Sequence, residues 1–222
     1  MDLIEAVKAR HSVRSYTDKK IEGETLEQLK KTIDECNSVS GLNIQLCLNE
    51  PDAFSCFMAR YGKFKNVKNY IALIGKTGSQ LEEKTGYYGE MIALKAQQLG
   101  LNTCWVAMSY KKKKSAAKVN AGEKLLMVLS LGYGENGGVH HKSKPIEKLY
   151  SVSGEMPDWF IKGMEAAQLA PTAMNQQKFH FELRGSAVKA AAGSGFYTKV
   201  DLGIAKYHFE IGAGKNGWEW DK

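Results

Sequence analysis

Residues 10–16 read Arg10-His11-Ser12-Val13-Arg14-Ser15-Tyr16. Two guanidiniums, an imidazole and two aliphatic hydroxyls in so short a run suit one ligand chemistry, a phosphate monoester. Such a group needs fixed cations and donors matched to its oxygens. The run follows Leu3, Ile4 and Val7, the apolar stripe of a short amphipathic helix over residues 2–10. If that helix continues, Arg10 and Arg14 lie four apart and share a face. The same residues also suit a plainer role, a basic helix end facing the macrodipole.

The sequence has 222 residues, enough for one large domain or two small ones with a sizeable core. A hydrophobic content of 43% with 25% charged residues places it among ordinary globular chains. The net charge of +7 invites a nucleic-acid reading, but much of it is local, in Lys111–Lys114 and in Lys63, Lys65 and Lys68. Such a run reads either as a solvated loop or as a nucleic-acid patch, and no nucleic-acid motif accompanies it. Cys36, Cys47, Cys56 and Cys104 form no C-x-x-C pair, which suits reduced thiols. The five histidines show no metal spacing. No signal peptide and no apolar run of membrane-spanning length stand out, so cytoplasm is the expected compartment, with neither nucleic acid nor membrane as partner.

Several elements must position the basic run. Periodicity predicts a second helix over 25–37, a turn at Asn37–Gly41, and a strand in which Ile44, Leu46 and Leu48 share a face. It predicts a short helix within 52–60, a buried strand at Tyr70–Gly75, and a long helix over 79–99 ending at Gly100. Further strands are expected at Thr103–Met108, Lys124–Leu131 and Lys178–Arg184, with Lys111–Gly122 on the surface. Asp158 is expected to cap a helix reaching Leu169, and a last helix covers 201–211. Residues 186–199, rich in Gly, Ala and Ser, give no clear element, and Trp218 and Trp220 are exposed unless docked. Gly132-x-Gly134-x-x-Gly137 matches a dinucleotide fingerprint, but a basic, proline-ended stretch follows where a helix is required.

The chain also carries a faint internal repeat. Asn43-x-Gln45 recurs as Asn175-x-Gln177, and Ile92-Ala93 with Gly100 recurs as Ile204-Ala205 with Gly212. A chain with two such copies can fold like a homodimer fused into one molecule.

Five stretches together resemble the FMN-dependent nitroreductase family: Arg10–Tyr16, Ala170-Pro171-Thr172-Ala173-Met174-Asn175-Gln176-Gln177, Leu99–Trp105, Leu131-Gly132-Tyr133-Gly134 and Lys142-Ser143-Lys144-Pro145. In the family the proline-containing loop usually follows the basic motif by a few tens of residues. Here that place holds Val39–Asn43, without the proline, and the better copy lies in the C-terminal half. The resemblance therefore points to a fused branch, with one complete flavin site per chain. It implies an α+β fold, a three-layer α/β/α sandwich with mostly antiparallel central sheets, as an internally duplicated pseudo-dimer. Residues 1–150 would form the half carrying the phosphate motif and 151–222 the shorter half carrying the ring-facing loop, packed as one intertwined unit.

By the same resemblance, Arg10, Ser12, Lys142 and Lys144 hold the FMN phosphate. Arg14 reaches towards the ribityl chain or the N1/O2 edge of the flavin. His11 is either a further donor or structural. Pro171, Thr172, Ala173 and Asn175 line the isoalloxazine. Gly132, Tyr133 and Gly134 present backbone amides or simply turn the chain. No catalytic side chain and no metal are implied. The implied activity is ping-pong hydride transfer from NAD(P)H through flavin N5 to a nitroaromatic, quinone or similar small acceptor, by a monomeric pseudo-dimer or weak homodimer. A non-catalytic flavin-binding or sensing protein on the same scaffold is the alternative.

Overall fold

The computed structural model describes residues 1–221. Along the chain run α1 (Leu3–Ala9), α2 (Gly23–Ser40), β1 (Gln45–Cys47), α3 (Phe57–Tyr61), β2 (Asn69–Lys76) and α4 (Leu81–Gln98). Then come β3 (Asn102–Val106), β4 (Glu123–Gly132), β5 (Tyr150–Ser153), α5 (Asp158–Gln168), β6 (Phe179–Arg184), β7 (Ala187–Ala192), α6 (Thr198–Ala213) and β8 (Glu219–Trp220). The chain is α+β, and it divides into two units. One holds residues 9–81 and 91–140 with strands β1–β4; the other holds residues 1–8, 82–90 and 141–222 with strands β5–β8. No single cut at residue 150 separates them. The N-terminal turn and the first half of α4 belong with the C-terminal segment.

In the β1–β4 unit the sheet order is β1-β2-β4-β3, antiparallel throughout. Tyr70–Gly75 and Leu125–Gly132 are buried along their whole length, as unbroken apolar runs require of central strands. Helix α2 continues through the predicted turn at Asn37 and ends on Gly41, which is left-handed at φ 71°. Asn37 breaks nothing there: its side chain holds both the N–H and the carbonyl of Ile44 and so aims the chain into β1. Ile44, just before that strand, and Cys47 within it are buried, whereas Leu46 and Leu48 are half-buried.

The β5–β8 sheet is mixed, and the strand pairing as a whole is mostly antiparallel, as expected. Its order is β5-β6-β7-β8, and only the central β6–β7 pair is antiparallel; β5 and β8 join as parallel flanks. β7 lies within the stretch that gave no clear element. Its alanines have little strand preference of their own, but the Gly185-Ser186 turn, with Gly185 at φ 62°, folds them back onto β6. Asp158 is the first residue of α5 and not its cap, a position held by Pro157. The tryptophan tail is docked: β8 pairs with β7, and Trp218 and Trp220 pack on Phe209 at 5.1 and 5.5 Å between ring centroids.

The repeat is visible in the element order, since α2-β1-β2-α4 recurs as α5-β6-β7-α6. The first copy is longer because residues 48–68, which hold α3, stand where the second copy has only Gly185-Ser186. The paired glutamines also do one job. Gln45 accepts from the N–H of Lys118 at 2.9 Å and donates to its carbonyl at 2.7 Å. Gln177 accepts from the N–H of Lys144 at 2.6 Å and donates to the carbonyl of Gln168 at 2.8 Å.

Within the β5–β8 unit, Glu82–Glu90 of α4 cross α6 with almost no gap. A Cβ on Gly86 would lie 2.0 Å from the Val200 carbonyl oxygen, and one on Gly203 would lie 2.0 Å from that of Glu83. Polar pairs flank the crossing: Lys206 with Glu83 at 2.5 Å, Tyr87 with Glu210, and the fully buried His208 with Glu90 at 3.0 Å. Gly203→Ala forces backbones apart and is expected to lower stability by about 3 kcal/mol. Gly78→Ala, at a position with no atom within 4 Å of the added Cβ, should stay within about 0.5 kcal/mol of the parent. Urea unfolding midpoints check the contrast; equal midpoints would show that the crossing yields.

Candidate functional site

Helix α1 stops at Ala9, so Arg10 and Arg14 do not share a helix face; residues 10–16 are extended. Neighbouring backbone claims the hydrogen bonds that another helical turn would use. Ser12 bridges Thr103 of β3, and the Val13 N–H donates to the Thr103 carbonyl at 3.0 Å. The Lys65 N–H donates to Arg14, and the Tyr16 N–H to Lys65. The Glu135 N–H donates to Ser15, and the Thr17 N–H to Tyr133. Val13 and Tyr16 enter the core, where the Tyr16 hydroxyl donates to the Val13 carbonyl at 2.6 Å and meets Ser130 Oγ at 2.7 Å. Burial holds that phenol above its usual titration range, against the opposing Ser130 hydrogen bond.

Arg10, Ser12 and Arg14 are therefore alternate residues of a pinned extended segment. Each of the three acts electrostatically or by a hydrogen bond on Cys104 of β3. Burial raises its thiol, while electrostatic attraction to Arg14, a hydrogen bond from Ser12 and attraction to Arg10 oppose that rise. Arg10 is only 3% exposed, and Arg14 lies 5.9 Å from the centre of the Phe64 ring. Two guanidiniums and a hydroxyl on a backbone that cannot drift make a donor set that fits a phosphate monoester.

The other residues expected at the site in this unit, His11, Gly132, Tyr133 and Gly134, also make contacts within it. A Cβ on Gly132 would meet the Tyr16 ring at 2.8 Å, and the Gly134 N–H donates to Asn102 Oδ1 at 3.0 Å. The Tyr133 carbonyl is taken by Thr17. His11 packs edge-on to His140 at 4.2 Å, and left-handed Gly138 (φ +78°) leaves no room for a Cβ beside it.

The nominated loop lies in the β5–β8 unit. Met174, Asn175 and Gln177 all have positive φ, at 51, 55 and 42°, an uncommon backbone for residues other than glycine. Asp201, 2% exposed near the start of α6, holds it: Oδ1 accepts from the Ala173 N–H at 2.9 Å and Oδ2 from Gln176 Nε2 at 2.8 Å. Thr172 Oγ1 accepts the Gln177 N–H at 3.0 Å. The two nominated lysines join the same frame. Lys144 donates from Nζ to the Gln177 carbonyl at 2.9 Å, and Asn175 Nδ2 donates to the Lys142 carbonyl at 2.6 Å. Pro171, Thr172 and Ala173 are half-buried on this frame.

Cys104, Asn102, Gln177 and Asp201 were not singled out in the sequence as parts of the site. Asp201 left a signal, an acid between Val200 and Leu202 at the head of an apolar helix. Burial raises its carboxyl to about 6, against the hydrogen bonds from Ala173 and Gln176 that lower it. The folded chain thus binds this proton more tightly than the unfolded chain does. Stability from this group is full below the unfolded value near 4 and is lost as pH rises to about 6. Lowering the pH from about 7 to 5 should recover on the order of 1 kcal/mol through Asp201. That increment should vanish in Asp201→Asn, as measured by urea unfolding at the two pH values.

The chain matches, over residues 2–213, the family model described as "Putative TM nitroreductase". Three crystal structures described as "putative nitroreductase" share its fold. The Thermotoga maritima protein is 21% identical, with a TM-score of 0.65 over 95% of this chain and 83% of its own. The Desulfovibrio desulfuricans protein, in complex with FMN, is 16% identical, with a TM-score of 0.55 over 71% of this chain and 99% of its own. The Exiguobacterium sibiricum protein, also with FMN, is 15% identical, with a TM-score of 0.53 over 67% and 95%. No curated protein matches. With the family model spanning nearly its whole length, the chain belongs to this nitroreductase family.

Proposed function

We propose that the chain binds FMN and works as an NAD(P)H-dependent oxidoreductase of nitroreductase type. The observation that carries this reading is the pinned Arg10–Ser12–Arg14 donor set, together with the FMN described in two proteins of the same fold. When bound, FMN would supply two-electron chemistry, taking hydride from a reduced nicotinamide and passing it to a small acceptor such as a nitroaromatic or quinone.

The chain's own part is binding and electrostatics. Arg10 and Ser12 hold the phosphate, each charge-assisted bond contributing roughly 1.5–3 kcal/mol. Arg14 offers its charge to the ribityl chain or the N1/O2 edge. The loop Pro171–Asn175, held by Asp201, offers half-buried small residues for the isoalloxazine. Lys142 and Lys144 supply further positive charge. No side chain is assigned a proton-transfer or nucleophilic role.

One observation favours a second reading. Asn175 already spends a donor on the Lys142 carbonyl and Lys144 on the Gln177 carbonyl, which suits a protein that binds flavin without turning over. The purified chain should be yellow, and NADH or NADPH should bleach it without oxygen. Yellow protein that neither nicotinamide bleaches would favour the second reading. Colourless protein that takes up no FMN would contradict both. Arg10→Ala should lower FMN retention on gel filtration at least about tenfold; unchanged retention would place the phosphate elsewhere.

A further inference from the structure

Helix α3, in the segment that the second repeat lacks, turns its apolar side chains outward. Phe57, Met58 and Tyr61 are 70, 45 and 76% exposed, and Met108 after β3 is 69% exposed. The Phe57 and Tyr61 rings stack on each other at 6.5 Å.

These two segments pack together within the β1–β4 unit. The Lys111 N–H donates to the Ala53 carbonyl at 2.7 Å, and the Phe54 and Tyr110 rings stack at 6.1 Å. A Cβ on Gly62 would lie 3.1 Å from the Ser109 side chain. The packed segments also carry Lys111, Lys112, Lys113 and Lys114, all exposed, with Arg60 and Lys63 exposed on the α3 side. Asp52 answers one of them, Lys114, at 3.6 Å. Partial burial of the Lys112 ammonium, and secondly the charge of Lys124, hold it below its usual range.

We propose that this face docks the protein on an anionic lipid surface. Phe57, Met58, Tyr61 and Met108 enter the headgroup boundary, and Lys111–Lys114 lie against lipid phosphates. Charge complementarity selects the occupant. Lysines are mobile point charges that suit a diffuse anionic plane, whereas recognition of individual carboxylates favours the planar fork of arginine. Four apolar side chains also fall far short of the roughly 20–30 residues a side of a stable protein interface. They are enough for interfacial attachment when a basic cluster assists. Two flexible methionines and a self-stacked ring pair suit acyl chains better than nucleobases, which need free ring faces. Such attachment needs no spanning helix, and among the described residues no helix is long and apolar enough to be one. The expectation of no membrane partner rested on the lack of a signal peptide and of an apolar run long enough to span, and neither bears on interfacial attachment.

Vesicle flotation tests the proposal with the intact chain, using phosphatidylcholine vesicles with and without about 30% phosphatidylglycerol at about 50 mM salt. Binding is expected on the anionic vesicles, at least about tenfold weaker on the neutral ones, and lost at high salt. Phe57→Ser with Tyr61→Ser, and separately Lys112→Glu with Lys113→Glu, should each reduce it at least about fivefold. Circular dichroism identical to the parent would show that the variants fold. No binding to anionic vesicles, or binding that both folded variants keep, overturns the proposal. So does tighter, salt-sensitive binding to single-stranded poly(U), which would assign the face to nucleic acid. A parent dimer that the Phe57/Tyr61 variant turns into a monomer also overturns it, assigning the face to a second copy.

Discussion

The buried hydroxyl of Tyr16 fixes the segment on which the candidate site is built. It ties its own chain at Val13 to Ser130 in β4, below a run whose backbone bonds go to β3, to Lys65 and to residues 133–135. With both flanks paired, residues 10–14 cannot continue α1. The two arginines are then separated by strand geometry, not helical rise. That constraint leaves Ser12 between the two arginines in the segment, with both charges acting on the Cys104 thiol. A helix would have presented the same charges on a tip free to fray; the extended segment presents them preorganised, which lowers the ordering cost of binding an anion.

The loop of the β5–β8 unit follows the same logic by other means. Its positive-φ residues carry a backbone cost that surrounding bonds must offset, and Asp201, Thr172 and Gln177 supply those bonds. Gln45 does in the first repeat what Gln177 does in the second, gripping an incoming lysine's backbone. The Asn-x-Gln pair is thus a structural signature of the repeat. Asn175 fits that role: its side chain closes on Lys142, as the side chain of Asn43 closes on Glu123.

What could be read from the sequence follows from the range of each interaction. The unbroken apolar runs of β2 and β4, the alternation of β6 and the glycine end of α4 are local patterns and were legible. β7 was not, because its alanines form a strand only through register with β6. The parallel flanks β5 and β8 depend on pairing between residues distant in the chain. Asn37 misled because its amide reaches forward to Ile44 instead of ending the helix. In the site, the residue types of Arg10, Ser12 and Arg14 were legible, but their geometry was decided by Thr103, Lys65 and Gly134. Asp201 stands out as an acid in an apolar helix, but its role was hidden because its partners, Ala173 and Gln176, lie 28 and 25 residues away in sequence.

On this geometry the Arg10–Ser12–Arg14 segment holds a phosphate monoester. Calorimetric titration with FMN and with riboflavin, which differ only by that phosphate, tests it most directly. FMN should bind at least about a hundredfold more tightly, as two or more charge-assisted bonds to the phosphate require. Equal affinity for the two ligands would show that this segment does not hold the phosphate.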